Sequence, residues 1–172
     1  NSKLYERMIA DVRKNLPPDG FVETMEGFYQ RSFNRYSMVP GLNIPTSMGF
    51  GKMHRGSGAI YNVFGPFSFQ TLEPAALDPG FDHHGKVENL SVHEFGHSFV
   101  NPAVDQLPPE LIRKTEHLFQ PIKESMTQQS YPSWTICLYE HFVRGGEVII
   151  ARKLGDTERA ERILKENKEK HW

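Results

Sequence analysis

The chain has 172 residues, 20 Lys and Arg against 21 Asp and Glu, and a moderate apolar fraction that includes 12 Phe. That length suits one domain with one sizeable core, and the near balance of charge provides no basic stripe to neutralise phosphates, which excludes nucleic acid as an expected partner. No apolar run approaches the roughly 20 residues of a membrane helix, so no membrane span is expected, and the single cysteine, Cys137, excludes an internal disulfide.

Cysteine usage therefore leaves the redox compartment open. The apolar neighbours of Cys137 predict a buried thiol. The sequence opens with Asn1 rather than Met, which reads as an excised domain or a processed product whose targeting segment would be missing.

Residues 1–40 are expected to form N-terminal helices. Leu4, Met8 and Val12 recur every four residues and mark one face of a first helix, which stops before Pro17-Pro18-Asp19-Gly20. Phe21, Met25, Phe28, Phe33 and Tyr36 keep an approximate helical period, predicting a second amphipathic helix to about Pro40. Residues 41–86 change to strands and loops. Ser47 to Met53 and Ala59 to Phe64 read as strands, joined by His54-Arg55-Gly56-Ser57-Gly58, whose glycines suit a hairpin connection. Phe67 to Gly85 reads as a long surface loop carrying a solvated His83-His84 pair.

Residues 87–102 are predicted as a helix, with Asn101-Pro102 as its stop signal, and residues 103–172 as C-terminal helices. Among these, Leu111, Ile112, Thr115, Leu118, Phe119 and Ile122 mark an amphipathic helix. Trp134 to about Leu154 marks a more apolar one interrupted at Gly145-Gly146, and Thr157 to Lys170 a charged, solvated cover. With no repeat, low-complexity tract or linker, the expectation is a single α+β domain, mostly helical with a small β-sheet beside the helix at 87–102.

That helix contains His93-Glu94-Phe95-Gly96-His97. Residues four apart share a helix face, so His93 and His97 can present ring nitrogens to one metal ion. Glu94 lies too far round to be a natural third ligand but is placed to take a proton from a zinc-activated water, as general base. Leu90, Val92, Phe95, Phe99 and Val100 surround the motif with apolar side chains, among which imidazoles and a carboxylate are costly without a metal or other partners. Gly96 weakens a helix by about 1 kcal/mol relative to Ala, which points to something packed closely against it. The competing explanation is structural: Ser91-Val92-His93-Glu94 also matches a capping box.

Catalytic Zn2+ usually has three protein ligands and an open position. Val100 and Ala103 stand where the extended metzincin motif requires Gly and His, which excludes that class. The remaining candidates are Glu116, Glu140 and Glu147, with His117 and His141 as variants. His117, with Arg113, Lys114 and Gln120 as helical neighbours, reads as a surface histidine, and Glu116 has an ordinary ion-pair explanation beside Arg113 and Lys114. Glu140 shares its helix face with Ile136, Cys137, Val143 and Arg144, so its carboxylate needs a partner, either Arg144 or a metal oriented with Arg144's help. Tyr131, Tyr139 and Arg144 are candidate donors to a developing oxyanion, and Tyr131 is favoured for its place on the approach to the Glu140 helix. Ser47 to Gly51 could form an edge that binds an extended substrate backbone, or simply a bent strand.

Ser91 to Pro102, containing His-Glu-Phe-Gly-His-Ser-Phe-Val-Asn-Pro, resembles the signature of an uncharacterised bacterial family of secreted zincin-like domains. Tyr131, Trp134 and Tyr139-Glu140-His141-Phe142-Val143-Arg144 resemble that family's downstream helix, and the resemblance spans Phe28 to Leu154. It implies a zincin-like fold of the gluzincin type, with His93, His97 and Glu140 as zinc ligands, Glu94 as base, and export to the periplasm, cell surface or medium. Gly145-Gly146 departs from the Ala-rich continuation of that helix. The resulting expectation is a zinc metallopeptidase acting on a peptide or protein. The alternatives are a catalytically silent zincin-fold module that binds a protein or glycan, and a metal-free helical scaffold.

Overall fold

The computed structural model describes residues 2–73 and 75–170; Asn1, on which the reading of an excised or processed chain rests, Pro74 in the predicted loop, and residues 171–172 lie outside it. The elements run α1 (Ser2–Lys14), α2 (Phe21–Tyr29), β1 (Arg35–Pro40), β2 (Gly49–His54), β3 (Ala59–Phe64), α3 (His84–Asp105) and α4 (Pro109–Thr115). Two 3-10 turns (Glu116–Leu118 and Gln120–Ile122) follow, then α5 (Lys123–Gln128), α6 (Trp134–Lys153) and α7 (Thr157–Glu169). The chain is thus α+β, mostly helical with one three-stranded sheet among the described residues. Residues 1–98 and 99–172 are two compact units, divided within α3.

In the first unit, α1 buries Met8 and Val12 as its period predicts, and they join Phe64, Phe67, Phe81 and Val87 in one apolar cluster. Each such side chain contributes about 1.5–3 kcal/mol on leaving water. Phe67 and Phe81 belong to the segment expected to be a surface loop, so that segment supplies core as well as connection. Between them Thr71 and Asp78 form an isolated antiparallel bridge. His83 and His84 are exposed, as expected.

The second predicted helix is corrected. It ends at Tyr29, where Gln30 takes a left-handed φ of 53°, and residues 35–40 form β1 instead. The aromatic series spans two elements: Tyr36 points from β1, its hydroxyl donating to Glu26 Oε1 of α2 at 2.8 Å. What decides against helix is pairing with a distant strand, since β1 runs parallel to β3 from Arg35–Ala59 to Pro40–Phe64. The expected hairpin is present: β2 and β3 are antiparallel with Gly51 opposite Asn62, and Gly58 closes the turn at φ 64°. The strand order β1-β3-β2 makes β3 central and β2 an edge.

Three further expectations change in the rest of the chain. Asn101-Pro102 does not stop α3, which continues to Asp105 with Pro102 inside it; one helix hydrogen bond is forgone there. The helix predicted over Leu111 to Ile122 breaks after Thr115 into 3-10 turns, the second containing Pro121, which has no N–H to donate. Conversely, Gly145-Gly146 does not interrupt α6, which runs unbroken from a Ser133 cap to Lys153.

Two apolar clusters hold the second unit. Phe119, Met126, Trp134 and Cys137 form one, and Trp134 Nε1 donates to Thr115 Oγ1 at 2.9 Å. Cys137 is buried, as expected, and burial raises its thiol to about 11. Val148 and Ala151 of α6 pack with Ala160 and Ile163 of α7, so α7 has an apolar stripe beneath its charges. Because a Cβ on exposed Gly145 would meet nothing within 4 Å, Gly145→Ala should stabilise the protein by about 0.5–1 kcal/mol through helix propensity. Chemical denaturation checks this, and a loss of stability would contradict the open space seen there.

Candidate metal centre

The motif occupies the middle of α3. Ser91 is fully buried and its hydroxyl donates to the Val87 carbonyl at 2.7 Å, a contact made inside a helix that began at His84. Ser91 is therefore no N-cap, and the capping-box explanation of Glu94 is excluded. Within residues 91–100 every position is buried except His93 and His97, which stay partly exposed. The helix thus presents its two imidazoles, one turn apart, on its accessible side.

Phe95 fixes this rotation. Its ring packs edge-on against Tyr36 of β1 at 5.4 Å between centroids and tilts against Phe21 of α2 at 6.5 Å. With Phe95 held in the core, His93 and His97, two residues to either side, fall roughly 200° round the helix. Their Nε2 atoms stand 3.2 Å apart with the rings nearly perpendicular at 85°. Two nitrogens bound at about 2.0–2.1 Å to one tetrahedral Zn2+ would be about 3.3 Å apart. The separation of the histidine pair is close to that value.

Glu94 is buried, at 6 % exposure, against the edge strand. A Cβ on Gly49 would come within 3.3 Å of Glu94 Oε1, and one on Gly51 within 2.2 Å of the Glu94 carbonyl oxygen and 3.6 Å of His97 Cβ. Gly49 and Gly51 lie two apart on β2 and so share the face turned to α3. Glycine here is a requirement of close helix-on-strand approach rather than of a bent strand. The edge strand thus lies directly beside the proposed base and one histidine.

The remaining candidates lie in the second unit. Glu140 is buried within α6, and Arg144, one turn on, places Nη2 3.5 Å from Glu140 Oε2. The i, i+4 ion pair read from the sequence is therefore formed. Glu116 is exposed, in the first 3-10 turn, where a carboxylate keeps its hydration. His117 is exposed too, its Nδ1 2.8 Å from the Lys114 carbonyl. His141 Nδ1 lies 2.7 Å from the Cys137 carbonyl, an interaction that fixes the ring's tautomer. The Tyr139 hydroxyl donates to Asp105, and burial together with that bond raises the phenol to about 12. Tyr131 packs at the margin of the Phe119–Trp134 cluster.

One buried acid, Glu88, escaped selection by sequence. Glu88 at 6 % and Glu147 at 7 % exposure are as enclosed as Glu94 and Glu140. Glu147, a third-ligand candidate beyond the double glycine, falls two turns beyond Glu140 on the buried face, since the helix continues through that pair. Val87 and Leu90 beside Glu88 were the available signal.

The first unit also holds an open groove of about 350 Å³ lined by Leu16, Pro18, Phe21, Tyr36, Met38 and Phe95.

The glycine-floored contact has a direct consequence. Gly51→Ala should force α3 from the sheet and cost about 1–3 kcal/mol, as overpacking does. Gly27→Ala in α2, where an added Cβ meets nothing within 4 Å, is the control and should be neutral or stabilising. Equal melting temperatures for the two variants would disprove the tight contact.

The chain belongs to the family described as a domain of unknown function, DUF4932, whose family model matches residues 1–171. No curated protein and no solved structure matches it.

Proposed function

We propose that this member of the DUF4932 family is a zinc-dependent hydrolase, a metallopeptidase of zincin-like design, in which His93, His97 and Glu140 hold the metal and Glu94 is the general base. The observation that carries the reading is the 3.2 Å approach of two partly exposed imidazole nitrogens on a helix face, next to a buried carboxylate. The reading takes two nitrogens from His93 and His97 and one oxygen from Glu140, the donor types of a catalytic zinc set. Bound Zn2+ supplies Lewis acidity, making water nucleophilic near neutral pH and polarising a carbonyl.

The protein's own groups do the rest. Glu94, shielded by the glycine strand, accepts the proton of the attacking water and returns it to the departing amine. Arg144 holds Glu140 oriented through their ion pair. Tyr131, on the approach to the Glu140 helix, is the proposed donor to the developing oxyanion. As the edge of the sheet, β2 can add an extended peptide beside Glu94. Export from a bacterial cell, to the periplasm or beyond, follows from the same family resemblance as the zincin reading.

Elemental analysis of wild type and Glu94→Gln, paired with cleavage of a broad peptide library, tests the assignment. Both proteins should hold near-stoichiometric zinc, and cleavage should fall by about 10²–10⁴ in Glu94→Gln. Zinc in both without cleavage in either would instead favour a silent module that binds a protein or glycan. Protein without zinc would overturn the metal site. Glu140→Ala should lose zinc while Glu116→Ala retains it; the reverse would reassign the third ligand.

A further inference from the structure

Asn62 occupies the centre of β3, fully buried at 0 % exposure, and among the described residues neither its amide nitrogen nor its amide oxygen meets a hydrogen-bonding group. Buried polar atoms of native proteins nearly always have a partner, from the protein or from ordered water. Leucine has the same branched heavy-atom skeleton and would bring no such cost. An amide retained in the middle strand of a sheet therefore calls for a role.

Strand register locates the role. Asn62 is paired with Met38 of β1 on one side and Gly51 of β2 on the other, and directly opposed residues face the same way. Met38 Sδ lies 3.6 Å from Ser91 Oγ of α3, and Gly51 lies beneath the Glu94 carbonyl. Asn62 is thus bracketed beneath the turn of α3 that runs from Ser91 to Glu94. The Ser91 hydroxyl spends its proton on the Val87 carbonyl and retains lone pairs, as does the carbonyl of Glu94. An internal water needs two to four polar partners, and the amide, that hydroxyl and that carbonyl can supply them.

We propose that Asn62 is a positioning residue: with one internal water it ties β3 to the Ser91–Glu94 turn of α3 and so sets the height and rotation at which His93, Glu94 and His97 are presented. The effect on the metal rests on the zinc reading above; the tie itself does not.

A high-resolution crystal structure of the zinc-loaded protein should show an ordered water within hydrogen-bond distance of the Asn62 amide and of Ser91 Oγ or the Glu94 carbonyl. A dry site would overturn the proposal. Asn62→Leu should lose that water and weaken zinc binding by about 10- to 100-fold, as loss of groups that support metal ligands does. Wild-type zinc affinity combined with a higher melting temperature would show the amide to be idle. If Asn62→Leu fails to fold, Ser91→Ala removes another partner of the water, and an unchanged zinc affinity there would count equally against the tie. Neither readout involves a substrate, so absent peptidase activity leaves the result interpretable. A wild-type protein without zinc would sink the metal reading, while the water seen in the crystal still decides the role of Asn62.

Discussion

The seating of α3 on two glycines of the edge strand is the contact from which the proposed chemistry follows. With Gly51 beneath the Glu94 carbonyl, at a spacing where a methyl group would stand 2.2 Å from that oxygen, the helix lies as close to the sheet as backbone allows. Phe95, wedged against Phe21 and Tyr36, then removes rotational freedom. Height and rotation together leave one outcome: Glu94 turns under the helix against β2, while His93 and His97 face outward. Either contact alone would fix only one of the two.

The electrostatics follow from that geometry. A carboxylate as enclosed as Glu94 is expensive unless a cation or several hydrogen bonds compensate, and capping, its cheapest structural explanation, is excluded by a helix that starts seven residues before Ser91. Glu140 raises the same problem in an apolar helix, and Arg144 answers it in part. A 3.5 Å approach through one guanidinium nitrogen is looser than the bidentate pairing Arg can achieve, so an ion pair and metal ligation by Glu140 are compatible. Glu116, by contrast, is solvated and has no such problem to solve.

What the sequence reveals depends on the range of the interactions involved. The i, i+4 period of Met8 and Val12, the glycine-bearing hairpin after His54 and the face shared by His93 and His97 are local, and all are present. β1 was hidden because its identity comes from pairing with β3, while its aromatics prolong the period of α2. Breakers misled in both directions. Pro102 sits within α3 and Gly145-Gly146 within α6, where the flanking turns sustain the helix. The 3-10 turns around Pro121 show a breaker taking effect in a short, poorly buried segment. Local propensity sets a cost of about 1–3 kcal/mol for each such residue, and the packing of a long helix decides whether that cost breaks it.

Asn62 shows why the supporting parts of a site are harder to read than its reactive ones. His93, Glu94 and His97 stand out by spacing, since two ligands offered by one helix must share a face. A residue beneath them needs no fixed separation from the motif; it is defined by strand register, through Met38 to Ser91 and through Gly51 to Glu94. In the sequence it is merely a polar residue between Tyr61 and Val63, where alternation predicts an apolar side chain toward the core. The same mismatch marks Glu94 and Glu140: each is a polar group where the pattern demands an apolar one. Local rules broken at buried positions of this kind are where a fold gives up stability, and in natural proteins such positions cluster at functional sites.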